Sequence, residues 1–204
     1  MTLEPRIYLA SRSPRRRELL TQIGLRFDLL LFRSGSRRDE EVDETPMPGE
    51  DPEDYVVRVA RAKANFGLRV LNMRHLPLRP VMSADTTLDL DGEIIGKPRD
   101  EAHAREILAR LSDRSHRVLT AVAVADGQRI EHRLNISEVR FRKLDEDEIR
   151  RYVATGEPMD KAGAYGLQGR AAIFIAEVKG SPSGIVGLPL CDIALLLKGF
   201  GLVP

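Results

Sequence analysis

Ile7-Tyr8-Leu9-Ala10-Ser11-Arg12-Ser13-Pro14-Arg15-Arg16-Arg17-Glu18-Leu19-Leu20-Thr21-Gln22-Ile23-Gly24-Leu25-Arg26-Phe27-Asp28-Leu29-Leu30-Leu31-Phe32 reads as strand, helix, strand. The apolar runs Ile7 to Ala10 and Phe27 to Phe32 have the length of strands. Between them Ser13 has an N-capping side chain and Pro14 suits the first helical position. Leu19, Leu20 and Ile23 supply an apolar stripe and Gly24 a stop, so a helix is expected from near Pro14 to near Gly24. A β-α-β opening commits the chain to a sheet with helices packed on it.

Arg15, Arg16 and Arg17 head that helix, although the positive end of a helix dipole favours acids. The free N–H groups of a helix start already attract anions, so arginines there are unfavourable unless something negative binds, and phosphate is the natural guest. A solvated basic turn is the competing account of this stretch.

With 204 residues, 42% of them hydrophobic, the chain can bury a core as a single domain, or as two closely joined lobes. Its net charge of +1 provides no global field toward nucleic acid or an anionic membrane, so an anion site must be local. No run is long and apolar enough to span a bilayer, and the N-terminus lacks a secretion pattern, which favours the cytoplasm. The single Cys191, within Ile185-Val186-Gly187-Leu188-Pro189-Leu190-Cys191, is expected to be a small buried thiol. His75, His103, His116 and His132 show no spacing that indicates structural zinc.

Further along, Arg33 to Asp51 reads as a long irregular loop, of a length that is often functional. A helix is expected from Asp51 or Glu53 through Tyr55, Val56, Val59, Ala60 and Lys63 toward Leu71, ended by Pro77 and Pro80. Val81 to Leu90 reads as a strand, turned at Asp91-Gly92 into Ile94 and Ile95. Asp100 to Leu111 is an amphipathic helix. His116 to Ala125 and Arg129 to Phe141 are strands joined at Asp126-Gly127. Asp145 to Ala154 is a helix with acids in its first turn, Ala171 to Val178 a strand, and Leu188 to Phe200 a closing helix. The expected class is α/β, a mixed, twisted sheet flanked by helices.

Four segments could carry chemistry. Asp85, followed by Thr86 and Thr87, is an acid within an apolar strand, and a buried carboxylate needs a partner or a role. Asp43 and Glu44 offer carboxylates that could share a divalent cation with Asp85. Lys63 lies on the polar side of its helix, and Lys97 is pinned between Gly96 and Pro98, a rigid setting for a fixed charge. In the segment from Asp160 to Gly169, glycines allow close backbone approach to a ligand. Gln168 can donate and accept together, as reading the imide edge of a pyrimidine requires. Each also has a plain reading: a hydrogen-bonded strand residue, solvated charges, a glycine corner.

Together these segments resemble the Maf-like nucleoside triphosphate pyrophosphatases, from about Ile7 to Phe200. The likeness rests on Ser11-Arg12-Ser13-Pro14-Arg15-Arg16, Asp43-Glu44-Thr45, Tyr55-Val56 through Ala62-Lys63-Ala64, Ala84-Asp85-Thr86, Gly96-Lys97-Pro98, the Asp160 to Gly169 segment and Val186-Gly187-Leu188-Pro189-Leu190. It implies two lobes around a central cleft, as in inosine-triphosphatase-like folds. It also implies hydrolysis between the α and β phosphates of a nucleoside triphosphate, with a divalent cation, magnesium or alternatively manganese. Asp85 would accept the proton of the attacking water and, with Glu44, hold the metal. Lys63, Lys97, Arg16 and Ser13 would meet the triphosphate. Arg15, Thr86 and Gln168 match the branch acting on dTTP and UTP rather than on 7-methyl-GTP. The substrate would be the chief partner, with no nucleic acid or membrane and with a homodimer left open. The family's link to septum formation offers a rival, a nucleotide-binding regulator without turnover. Arg12 departs from the small residue usual there, and the loop leaves open which of Glu40, Glu41, Asp43 and Glu44 reaches the metal.

Overall fold

The computed structural model describes residues 6–33 and 42–202. The opening is strand β1 (Ile7–Leu9), helix α1 (Pro14–Gln22) and strand β2 (Phe27–Leu29), parallel to β1. β2 stops earlier than its apolar run: Leu30 is buried and its N–H still bonds Leu9 O at 3.0 Å, while Leu31 faces solvent. Ser13 occupies the N-cap with extended backbone but makes no side-chain cap, contrary to expectation.

Helix α2 (Pro52–Met73) is capped by Asp51, whose side chain accepts from the Glu53 N–H. It runs two residues past Leu71 and through Gly67, a residue that costs a helix interior about 1 kcal/mol relative to alanine. Packing explains the glycine: a Cβ there would lie 2.6 Å from Val81 Cγ1. Strands β3 (Val81–Leu90) and β4 (Glu93–Ile95) form the expected hairpin, with Asp91 and Gly92 both at positive φ, 56° and 87°, as a tight hairpin turn demands.

Helix α3 (Glu101–Leu111) is followed by the long strands β5 (Ser115–Ala125) and β6 (Ile130–Phe141). Helix α4 (Glu146–Val153) carries a full capping box between Asp145 and Glu148. Strand β7 (Ile175–Lys179) begins four residues later than expected, because Arg170–Phe174 forms a 3₁₀ turn that buries Ala171 and Phe174 on one side. Helices α5 (Pro182–Val186) and α6 (Leu190–Gly199) close the described chain, Pro189 delaying α6 past the expected Leu188. Cys191 is exposed rather than buried. The buried stripe of α6 is Ile193, Leu196 and Leu197, and the helical period places Cys191 with Leu195 on the outer side.

The sheet order is β2-β1-β3-β5-β6-β7, parallel at the β2-β1-β3 end and antiparallel from β3 onward, with β4 also paired to β3. The mixed α/β architecture is therefore the expected one. Both faces of β5 are buried: Leu119, Ala121 and Ala123 lie under Val56, Val59 and Ala60 of α2, while Val122 and Val124 meet Ile193, Leu196 and Leu197 of α6. A separate core gathers α3 and α4 with Leu88, Phe141 and Phe174 at the far half of the sheet. Among the described residues no helix is long and apolar enough to cross a membrane.

Candidate active site

One edge of β3 is shared by two strands that do not meet. β1 pairs with it at Val81 and Met82, ending in the bond from Ala10 N–H to Met82 O at 2.8 Å, and β4 pairs with it from Leu88 onward. Between them the edge from Ser83 to Thr87 has no strand partner among the described residues. Side chains alternate along this open stretch, so Asp85 projects toward α2 and Thr86 toward α1 and α5.

Asp85, 8% exposed, meets Lys63 across 2.8 Å, and Glu44 reaches the same ammonium at 2.8 Å. Two carboxylates thus converge on one cation. The second oxygen of Asp85 carries no hydrogen bond among the described residues, yet it is not sealed from solvent. Glu40 and Glu41 lie outside the described residues, and Asp43 turns its carboxylate to the Thr45 N–H at 2.9 Å instead. That contact holds the Asp43 carboxyl below its ordinary range.

On the other face, Arg16 is engaged by the protein itself. Its Nε donates to Gly187 O at 2.8 Å, Nη1 to Ala84 O at 2.8 Å and to Ser11 Oγ at 3.3 Å, and Nη2 to Thr86 Oγ1 at 3.2 Å. Ala84 O is the carbonyl two residues past Met82 O, so the guanidinium continues the bonding of β1 into the open edge. One N–H of the fork makes no hydrogen bond among the described residues. Burial pulls the Arg16 pKa down and Asp85 opposes the shift, but a guanidinium keeps its charge. Thr120 Oγ1 donates to Gly184 O at 2.8 Å, so the 3.0 Å contact between Thr86 and Thr120 has Thr86 as donor. A directed chain runs from Arg16 through Thr86 and Thr120 to the α5 backbone, which orients the Thr86 hydroxyl. Ser11, Thr120 and the Gly184 and Gly187 carbonyls lay beyond sequence reasoning, because their partners are up to 171 residues away. Arg12, the departure, bonds the Phe32 carbonyl at 2.8 Å and so braces the end of the β-α-β unit.

The opposite wall is less committed. Lys97 and Gln168 are exposed and make no polar contact among the described residues. Ser13 likewise offers a hydroxyl with no partner among them, its N–H bonding Ser11 Oγ at 3.2 Å. The segment bearing Gln168 is nonetheless fixed to the Lys97 loop, for Gly163 N–H donates to Gly96 O at 3.0 Å. At that site φ is +70° and a Cβ would fall 2.1 Å from Leu88 Cδ2, so glycine is required. Tyr165, buried two residues on, shares a 2.7 Å hydrogen bond with His116 Nε2, and burial pushes the His116 imidazole down to about 4. Arg15 reaches this segment too, its Nη1 3.4 Å from Asp160 Oδ2.

Comparison with known proteins gives the family. A family model described as Maf-like protein matches residues 6–200. A dTTP/UTP pyrophosphatase of Aromatoleum aromaticum is 64% identical over 200 residues, covering 98% of this chain and 97% of the relative. One of Dechloromonas aromatica is 60% identical, covering 98% and 99%. Among solved structures, the Staphylococcus aureus Ham1 protein aligns over 96% of this chain and 97% of its own with a TM-score of 0.52 at 15% identity, a likeness of fold alone.

Proposed function

The chain belongs to the Maf-like protein family, and from that premise we propose that it is a nucleoside triphosphate pyrophosphatase that hydrolyses dTTP and UTP to the monophosphate and pyrophosphate. The observation that carries the reading is the convergence of Glu44 and Asp85 on Lys63 Nζ, both at 2.8 Å, beside the open edge of β3. Hard oxygen donors already gathered around a positive charge suit magnesium. That ion takes one or two protein carboxylates and completes its shell with water and substrate phosphate, so two carboxylates suffice. Glu44 and Asp85 would hold it, and when bound it polarises the phosphates and offsets their charge.

The chain's own residues divide the remaining work. The unpaired oxygen of Asp85 takes a proton from the attacking water as the anhydride between the α and β phosphates breaks and pyrophosphate leaves. Lys63 and Lys97 offset charge developing on the phosphate oxygens. Ser13, the uncapped first turn of α1 and the remaining N–H of Arg16 receive the phosphates. Gln168, with a donor and an acceptor free, reads the pyrimidine edge, while Arg15 and the oriented Thr86 hydroxyl shape the same discrimination. The chain works as one domain whose two closely joined lobes flank the gap in β3, in the cytoplasm.

A panel of triphosphates with magnesium or manganese, scored for pyrophosphate against orthophosphate, tests this reading. Pyrophosphate release should be greatest with dTTP and UTP. Orthophosphate as the sole product, or equal rates with purine nucleotides, would overturn it.

A further inference from the structure

Glu44 sits on a stretch that has little to hold it. Residues 43–49 are all exposed, and the stretch belongs to no strand or helix. Yet three consecutive carbonyls of this stretch are taken by two side chains of α2. Arg58 Nη1 donates to Asp43 O at 3.3 Å, Tyr55 Oη to Glu44 O at 3.0 Å, and Arg58 Nη2 to Thr45 O at 3.0 Å. We propose that Tyr55 and Arg58 are positioning residues, which fix the Glu44 backbone so that its carboxylate meets Asp85 where a divalent cation binds.

The clamp is itself braced. Glu50 grips the Arg58 fork in bidentate fashion, Nε to Oε1 at 2.6 Å and Nη2 to Oε2 at 2.8 Å, while Oε2 also accepts from the Met47 N–H at 2.9 Å. The Arg58 guanidinium lies over the Tyr55 ring, 5.5 Å from its centroid. Tyr55, Arg58 and Lys63 are all carried by α2, which packs along the sheet through Val56, Val59 and Ala60. The helix that supplies the cation between the carboxylates therefore also supplies the hands that hold one of them. A carboxylate on an unbraced loop would spend entropy each time it met a ligand, and fixing three peptides in advance removes that cost. Neither Tyr55 nor Arg58 touches the reacting atoms in this role; they act through Glu44.

The proposal rests on Glu44 being a metal ligand, as in the function proposed above, and the experiment separates the two. Mn²⁺ binding is measured by its electron paramagnetic resonance signal, without nucleotide, for wild type, Tyr55→Phe, Arg58→Lys and Glu44→Gln. Tyr55→Phe removes one hydroxyl and keeps the ring, and Arg58→Lys keeps the charge but loses the fork, so the fold should survive in at least the former. Both are expected to weaken Mn²⁺ binding about tenfold, the usual effect of losing a residue that orients a ligand. Metal-free nucleotide binding should stay unchanged in both, the melting temperature should stay near wild type in Tyr55→Phe, and turnover should recover at saturating metal. Wild-type Mn²⁺ affinity in both clamp variants, with affinity lost in Glu44→Gln, would overturn the clamp and leave the metal assignment standing. Wild-type affinity in Glu44→Gln would remove the metal assignment, and the clamp's role with it.

Discussion

The two walls flanking the open edge of β3 are built in opposite ways. On the α1 and α2 side three cations are already bonded to protein: Lys63 to two carboxylates, Arg16 to four acceptors, Arg58 to two carbonyls and Glu50. On the other side the segment is fastened, through its backbone by Gly163 to Gly96 and through a side chain by Tyr165 to His116, while Lys97 and Gln168 hold out side chains with no polar contact among the described residues. Chemistry tolerates little positional error, and the first wall gives its groups no freedom. Recognition needs unspent donors and acceptors on a rigid base, which is what the role proposed for Gln168 draws on.

The contrast predicts that replacing Asp85 on the bonded wall abolishes turnover, whereas replacing Gln168 on the open wall redirects it. Asp85→Asn should lower the rate by a factor of about 10² to 10⁴, the range of general-base catalysis, with nucleotide binding largely kept. Single-turnover rates beside equilibrium binding would measure both, and an undiminished rate would dismiss Asp85 as the base.

A smaller effect tests how the open wall is anchored. The folded His116 imidazole titrates near 4, whereas an unfolded one titrates near its ordinary 6.5. Between those values the unfolded chain binds more protons, so the neutral imidazole's contribution is complete above pH 6.5 and is lost as the pH falls toward 4. The loss is on the order of 3 kcal/mol. Urea unfolding of wild type against His116→Asn across this range should show the difference between them shrinking as pH drops. Parallel curves would mean that His116 does not titrate as its burial requires.

The smallest effect is the most specific. Gln168→Glu replaces a donor and acceptor with an acceptor alone, and should reduce kcat/KM for dTTP and UTP about tenfold, the value of one lost hydrogen bond, without changing stability. Unaltered kinetics on both substrates would take Gln168 out of the base pocket.

Much of this layout can be read along the chain, and what cannot has a common cause. Apolar period and turn chemistry place β1, α1, β3, its Asp91-Gly92 hairpin and α3 within a residue or two, because those signals are local. Asp85 stands out as an acid inside an apolar strand, and Lys97 by its rigid neighbours. Arg16 could be seen as charged and misplaced, but not that protein carbonyls satisfy it, since Ala84 O and Gly187 O come from distant turns of the fold. The same holds for the 3₁₀ turn at Arg170–Phe174, where burial of Phe174 overrides an apolar run that looks like a strand. Cys191 departs from its expected burial for a subtler reason: an apolar neighbourhood in sequence says nothing about which side of a helix a residue occupies.

The Gly163 anchor has an implication for how such a protein changes its diet. Because the segment is moored through main-chain atoms and a mandatory glycine, five positions ahead of Gln168, the letter at position 168 can be rewritten without loosening the mooring. On the role proposed for Gln168, its share of base preference is uncoupled from foldedness, and a new nucleotide can be explored by exchanging one outward-facing side chain while the Asp85 side of the gap stays as it is.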